Sequence, residues 1–150
     1  MREEGRNRMV NWYEKEENQH RLNRIEKVIM NRKFPQFTLL QNSGGKKYMN
    51  KGDIFWGGKL RTNFGTVYSV AIAYPANFPY GQIKAFIPEL LDTPTPHKYV
   101  DGHLCLYSND HGGGGEGFGK ETTAATIVSW TAAWLNAWEV YKQTKKWPGK

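Results

Sequence analysis

The chain has 150 residues, of which 39% are hydrophobic and 14% aromatic: enough to bury a core and too apolar for disorder. No apolar run approaches the ~20 residues that span a bilayer, the first residues hold no signal-peptide core, and one cysteine cannot close an internal disulfide, so the chain reads as cytoplasmic and without a membrane. The +7 formal charge runs from Arg2, Arg6 and Arg8 to Lys142, Lys145, Lys146 and Lys150 without interleaved stacking aromatics, which disfavours direct nucleic-acid binding and suits a solvated face for an acidic protein.

The first predicted element is a helix over about residues 11 to 32, with Leu22, Ile25, Val28 and Ile29 as an apolar stripe at helical spacing. Phe34-Pro35 ends it, because a residue before proline avoids the α region. The period then changes to that of strands. Phe37 to Gln41 is the first, Asp53 to Arg61 the second with a kink at Gly57-Gly58, Thr66 to Tyr74 the third and Gln82 to Ile87 the fourth. Turn residues separate them, and short connections favour an antiparallel meander. Residues 88 to 121 have little regular pattern, and a stretch of that length is commonly functional. A last helix spans about Thr122 to Lys145, with Thr122 or Thr123 as N-cap. Its apolar face is Ile127, Thr131, Trp134, Leu135, Trp138 and Tyr141. The fold class is α+β, read as a single domain over residues 1 to 150.

The irregular stretch carries the chemistry. Residues 97 to 111, HKYVDGHLCLYSNDH, hold the one cysteine, Cys105, and three of the four histidines, His97, His103 and His111. A lone cysteine is ordinarily a small buried hydrophobe. Here Leu104 and Leu106 flank it inside a polar loop, which suits a thiol at a cleft edge. With an ordinary pKa of about 8.5 it needs a nearby cation or donor to become an effective nucleophile. His103 and Cys105, two residues apart, point the same way if the segment is extended. The histidine and cysteine spacings match no zinc pattern, so no metal is expected. The glycine tract GGGGEGFGK over residues 112 to 120 meets a phosphate-loop pattern only superficially, since Glu121 stands where Ser or Thr is required. It reads as a flap beside the cysteine, and no cofactor is implied. Trp130, Trp134 and Trp138 read as packing.

Tyr74-Pro75-Ala76-Asn77-Phe78-Pro79-Tyr80 after a long strand, Phe86-Ile87-Pro88, then His97, and then Asp101-Gly102-His103-Leu104-Cys105-Leu106 together resemble the ubiquitin-conjugating (E2) enzymes, over about residues 15 to 147. The resemblance is nearest to bacterial E2-like proteins of antiphage CBASS-type operons. It implies a UBC-like fold: N-terminal helix, four-stranded meander, active-site loop, long C-terminal helix. It also implies an acyl transferase. Cys105 would take a protein C-terminus, that of a ubiquitin-like protein or a cGAS-like nucleotidyltransferase, from an E1-like activating enzyme as a thioester and pass it to an amine of a target protein. His97 would hold the loop by hydrogen bonds, and the basic N-terminal helix would dock the E1. Asp101, Asp110 and His111 are candidates to orient or deprotonate the amine. His97 is followed by Lys98-Tyr99 instead of Pro-Asn and lies eight residues before the cysteine. The family's oxyanion asparagine therefore has no direct counterpart, which leaves the loop amides or Asn109. Two rival readings remain: a cysteine hydrolase using Cys105 with His97 or His111, and a non-catalytic binding module of the same fold.

Overall fold

The computed structural model describes residues 10–106 and 119–149. Two 3-10 turns, Trp12–Glu14 and Glu16–Asn18, precede helix α1, which is π-wound over Arg21–Glu26 and α-helical over Lys27–Lys33. Strands β1 (Thr38–Gln41), β2 (Ile54–Arg61), β3 (Val67–Ala73) and β4 (Lys84–Phe86) follow, then a 3-10 turn at Pro88–Leu90, and finally helix α2 (Ala124–Thr144). The four strands form one antiparallel sheet in the order β1-β2-β3-β4, the meander expected from the short connections. The expected strands are one or two residues longer at one or both ends than those observed, and the last helix begins after Thr123, whose hydroxyl accepts from the Thr126 amide as N-cap.

Side chains alternate across the sheet as the strand period demands. Tyr68, Val70, Ile72, Trp56 and Ala85 join the core under α2, where Ile127, Val128, Thr131, Leu135, Trp134 and Trp138 are buried. Phe55, Ala71, Ala73 and Phe86 point to the other face, covered by Tyr48, Met49 and Leu91. Gly57 and Gly58 do not interrupt the ladder: Gly57 pairs with Thr38 and Ala71, and Gly58 with Val70. The glycine at 58 makes room instead. A Cβ there would lie 2.7 Å from the Phe37 ring.

The N-terminal region differs from the expectation of one helix from residue 11. Lys15 is extended (φ −78°, ψ 139°) between the two 3-10 turns. Trp12 is drawn into the core, with its ring centroid 5.1 Å from that of Tyr74 and 4.8 Å from that of Phe78. The apolar stripe is partly out of phase, with Leu22 buried and Ile29 packed against the core as expected. Ile25 and Val28 are 38% and 44% exposed, and the buried positions are Leu22, Glu26 and Met30. The π winding explains the phase: the Lys27 amide donates to the Leu22 carbonyl, five residues back, so each turn holds more residues and a step of four keeps one face.

Glu26 is fully buried because its oxygens are all claimed. Oε1 accepts from the Tyr74 hydroxyl (2.7 Å) and from the Ala124 amide (2.9 Å), and Oε2 accepts from Arg21 Nε (2.8 Å). The Tyr74 hydroxyl in turn accepts from Trp56 Nε1 at 2.8 Å. Burial, then the Glu26 charge, push the Tyr74 phenol well above its ordinary value, so it remains a donor at any physiological pH. Arg21 continues the network to the carbonyls of Lys120 and Thr122 and lies over the Phe78 ring at 4.7 Å. Among the described residues, no helix is long and apolar enough to cross a membrane. Glu26→Ala strands a guanidinium, a phenol and a helix N-terminal amide together. It should cost about 3–5 kcal/mol in urea unfolding, with Glu26→Gln, which keeps a carbonyl acceptor, costing less.

Candidate functional site

Residues 97 to 105 fold into a small hairpin. The Cys105 amide donates to the His97 carbonyl (2.9 Å), the Tyr99 amide to the His103 carbonyl (2.9 Å), and Lys98 pairs with Leu104 across it. The three-residue loop Val100-Asp101-Gly102 closes on a Gly102 amide to Tyr99 carbonyl bond, with Gly102 at φ +96°. A tight turn followed by a left-handed glycine is a favoured three-residue hairpin loop. The site is also crowded, since a Cβ on Gly102 would meet Leu91 at 2.7 Å.

Three anchors hold the hairpin at the sheet edge. Leu104 is 1% exposed, and its amide donates to the Ala85 carbonyl of β4, with His103 bridging Phe86. Trp134 Nε1 on α2 donates to the His97 carbonyl at 3.0 Å. Lys98 Nζ donates to the carbonyls of Leu90 (2.5 Å), Leu91 (3.2 Å) and Thr93 (2.7 Å). Burial lowers the Lys98 pKa from its ordinary value, with Asp92 opposing. Its ammonium ties off the end of the 3-10 turn.

The hairpin presents Cys105 half-buried, with Sγ 3.5 Å from the Tyr99 hydroxyl. The Tyr99 ring stacks on His103, centroids 4.3 Å apart and planes 21° from parallel. His103 Nδ1 meets Asp101 Oδ1 at 2.5 Å, the His103 amide donates to the same oxygen at 3.1 Å, and Lys84 Nζ lies 3.0 Å from Asp101 Oδ2. Partial burial works to raise the Asp101 pKa. The His103 amide and ring and the Lys84 ammonium outweigh it and hold Asp101 down at about 2. Lys84, Asp101, His103, Tyr99 and Cys105 thus form a continuous row from β4 to the thiol.

The expected site residues separate into three groups. Cys105 and His97 are joined through the backbone, and the His97 ring packs on Trp147 at 4.8 Å. His97 takes a left-handed φ of 59°, held there by the two donors on its carbonyl. Asp101 sits at the turn, with both oxygens bonded to His103 and Lys84. Asn109, Asp110 and His111 lie outside the described residues, as does most of the glycine tract. Tyr99 was not anticipated. The signal was there: Asp101-Gly102 is a hairpin turn, and pairing about it sets Tyr99 opposite His103 and next to Cys105. Among the described residues, no three of His, Cys, Asp and Glu converge as a metal ion would need.

The family model of the type II CBASS E2 proteins matches residues 26–150. The chain belongs to that family. A type II CBASS E2 is an E2-like protein of antiphage defence, and the helix, meander, loop and helix described above are an E2-like fold. None of the curated proteins and none of the solved structures matches the chain. In this CBASS E2 the hairpin depends on the Asp101 carboxylate, whose folded pKa is depressed, so its contribution is complete above the unfolded value near 4 and disappears as pH falls to about 2. Asp101→Asn should therefore lower the melting temperature at pH 7, and the gap from wild type should close between about pH 4 and pH 2 in a thermal unfolding series.

Proposed function

We propose that this CBASS E2 carries a protein C-terminus as a thioester on Cys105 and transfers it to an amine. The observation that supports this reading is the placement of the thiol. It is half-buried at the sheet edge, on a hairpin that β4, α2 and the 3-10 turn hold on three sides, with a hydroxyl beside the sulfur. A nucleophile held this way meets its electrophile at a fixed angle, and orientation of that kind lowers the barrier before any charge is stabilised.

In the first step the Cys105 thiolate attacks the thioester carbonyl on an E1-like partner. A carbon–sulfur bond forms, the carbonyl oxygen becomes an oxyanion, and collapse expels the partner's thiolate. In the second step an amine attacks the new thioester, and collapse returns the Cys105 thiolate and leaves an amide. The amine's proton passes to an acceptor at the site. Asp101 is already bonded on both oxygens, so Asp110 and His111 take that role in this reading, with the loop amides or Asn109 as the candidates to steady the oxyanion. His97 is a positioning residue, acting through its carbonyl and its contact with Trp147. The carried chain is a ubiquitin-like protein or the tail of a cGAS-like nucleotidyltransferase, and the acceptor is an amine of a target protein.

Incubation with an E1-like enzyme, ATP and each carried protein, read by intact mass, tests this. Wild type should gain one adduct that thiol reductants remove. Cys105→Ser should trap a reductant-resistant oxyester, and Cys105→Ala should gain nothing. Release of free carboxylate with no adduct would mean a hydrolase, and full phage protection by Cys105→Ala would mean a binding module.

A further inference from the structure

We propose that Trp147 is a positioning residue for Cys105, clamping the start of the thiol hairpin by holding the His97 ring and the Trp134 indole together. The consequence for acyl transfer rests on the carrier reading above; the clamp does not.

Among the described residues, two that are not glycine take a left-handed backbone, His97 at φ 59° and Lys145 at φ 63°. A side chain makes that conformation costly, and it persists where the surroundings fix it. The two residues are far apart in sequence and lie at the two ends of one contact. Lys145 caps α2 and turns the chain back. Its amide donates to the Tyr141 carbonyl at 2.7 Å, and the Lys146 amide donates to the Thr144 hydroxyl at 3.1 Å. The reversal lays Trp147 along the helix, with its ring centroid 6.1 Å from that of Tyr141, 5.3 Å from that of Trp134 and 4.8 Å from that of His97. The contact with Tyr141 is the apolar one that commonly closes a left-handed helix end. The contacts with Trp134 and His97 go beyond capping.

What the Trp147 ring spans gives it a role at the thiol. Trp134 Nε1 donates to the His97 carbonyl at 3.0 Å, and the Cys105 amide donates to the same carbonyl at 2.9 Å. Trp147 therefore touches both partners of the bond that ties α2 to the hairpin, and one of those partners carries the carbonyl that holds Cys105. Leu104, next in sequence, is held from the other side, with its amide on the Ala85 carbonyl of β4. Two adjacent amides thus report on two different anchors.

Trp147→Ala removes the clamp, and Trp147→Phe keeps a ring in it. Amide hydrogen exchange of the purified proteins reads the anchors separately and needs no E1-like partner. In Trp147→Ala the Cys105 amide should exchange about ten-fold faster than in wild type and the Leu104 amide within about two-fold, because the opening is local to the α2 side. In Trp147→Phe both amides should stay within about two-fold of wild type. The second arm is single-turnover discharge of the E1-loaded thioester to free lysine. It should slow by about ten-fold in Trp147→Ala and recover to within about two-fold in Trp147→Phe, as expected when a reacting atom loses its fixed place. Equal acceleration of the Leu104 and Cys105 amides overturns the proposal, since Trp147 would then serve general stability. Unchanged exchange at Cys105 overturns it as well, and so does faster exchange there with discharge unaltered. A wild type that forms no thioester sinks the carrier reading, and the exchange arm then decides the clamp alone.

Discussion

The carboxylate of Glu26 is the constraint on which the arrangement depends. It has no exposed surface, so its charge must be answered inside the protein, and Arg21, Tyr74 and the Ala124 amide answer it from three separate parts of the chain. The first is α1 itself, the second the end of β3, and the third the first turn of α2, where an anion also meets the positive end of the helix dipole. Burying a charge is expensive, and an apolar residue of similar size would often be at least as stable. An apolar residue would not, however, fix the rotation of α1, the entry of α2 and the Tyr74–Trp56 bond at once. What the carboxylate supplies is register among elements far apart in sequence.

That register reaches the thiol by a short route. Arg21, oriented by Glu26, holds the carbonyls of Lys120 and Thr122, and α2 begins two residues after Thr122. Once α2 is in place, Trp134 falls over the start of the hairpin and donates to the His97 carbonyl. The same indole packs against Trp147, which packs against the His97 ring. The position of Cys105 is therefore set from two sides, by β4 through Ala85 and Phe86 and by α2 through Trp134. An isolated hairpin of nine residues is marginally stable despite its own cross-strand bonds, so these outside anchors fix it.

What was legible in the sequence was what periodicity and turn chemistry control. The meander follows from alternating β-branched and aromatic residues between turn signals, and the buried face of α2 follows from positions 127, 131, 134, 135 and 138. The phase of α1 was not legible, because a charged residue holds its buried face and π winding rotates Ile25 and Val28 outward; hydrophobic pattern alone reads Glu26 as solvent-facing. Gly57-Gly58 misled for a related reason: the need for glycine comes from Phe37, a residue of a different segment, and not from the strand's own geometry. At the site, Cys105 stood out by its rarity and its flanks. Tyr99 did not, because an exposed tyrosine beside a turn has many ordinary explanations, and only the pairing across Asp101-Gly102 brings it to the sulfur.

The hairpin also explains why the polar groups described beside the thiol come as a row. On a strand pair, one face takes every second residue, so His103 and Cys105 share a side with Tyr99 opposite, while Leu104 between them goes into the core. Only a limited number of groups can touch sulfur directly from such a surface, and influence must pass along the strand. The charges of Lys84 and Asp101 therefore act on the thiol at one remove, through an imidazole and a phenol that hold each other face to face. An aromatic stack is well suited to that position, since two flat rings held face to face transmit orientation firmly. A carboxylate in direct contact would repel a thiolate. Setting Asp101 back at the turn, with its charge engaged by Lys84 and His103, keeps its ordering effect and removes that repulsion.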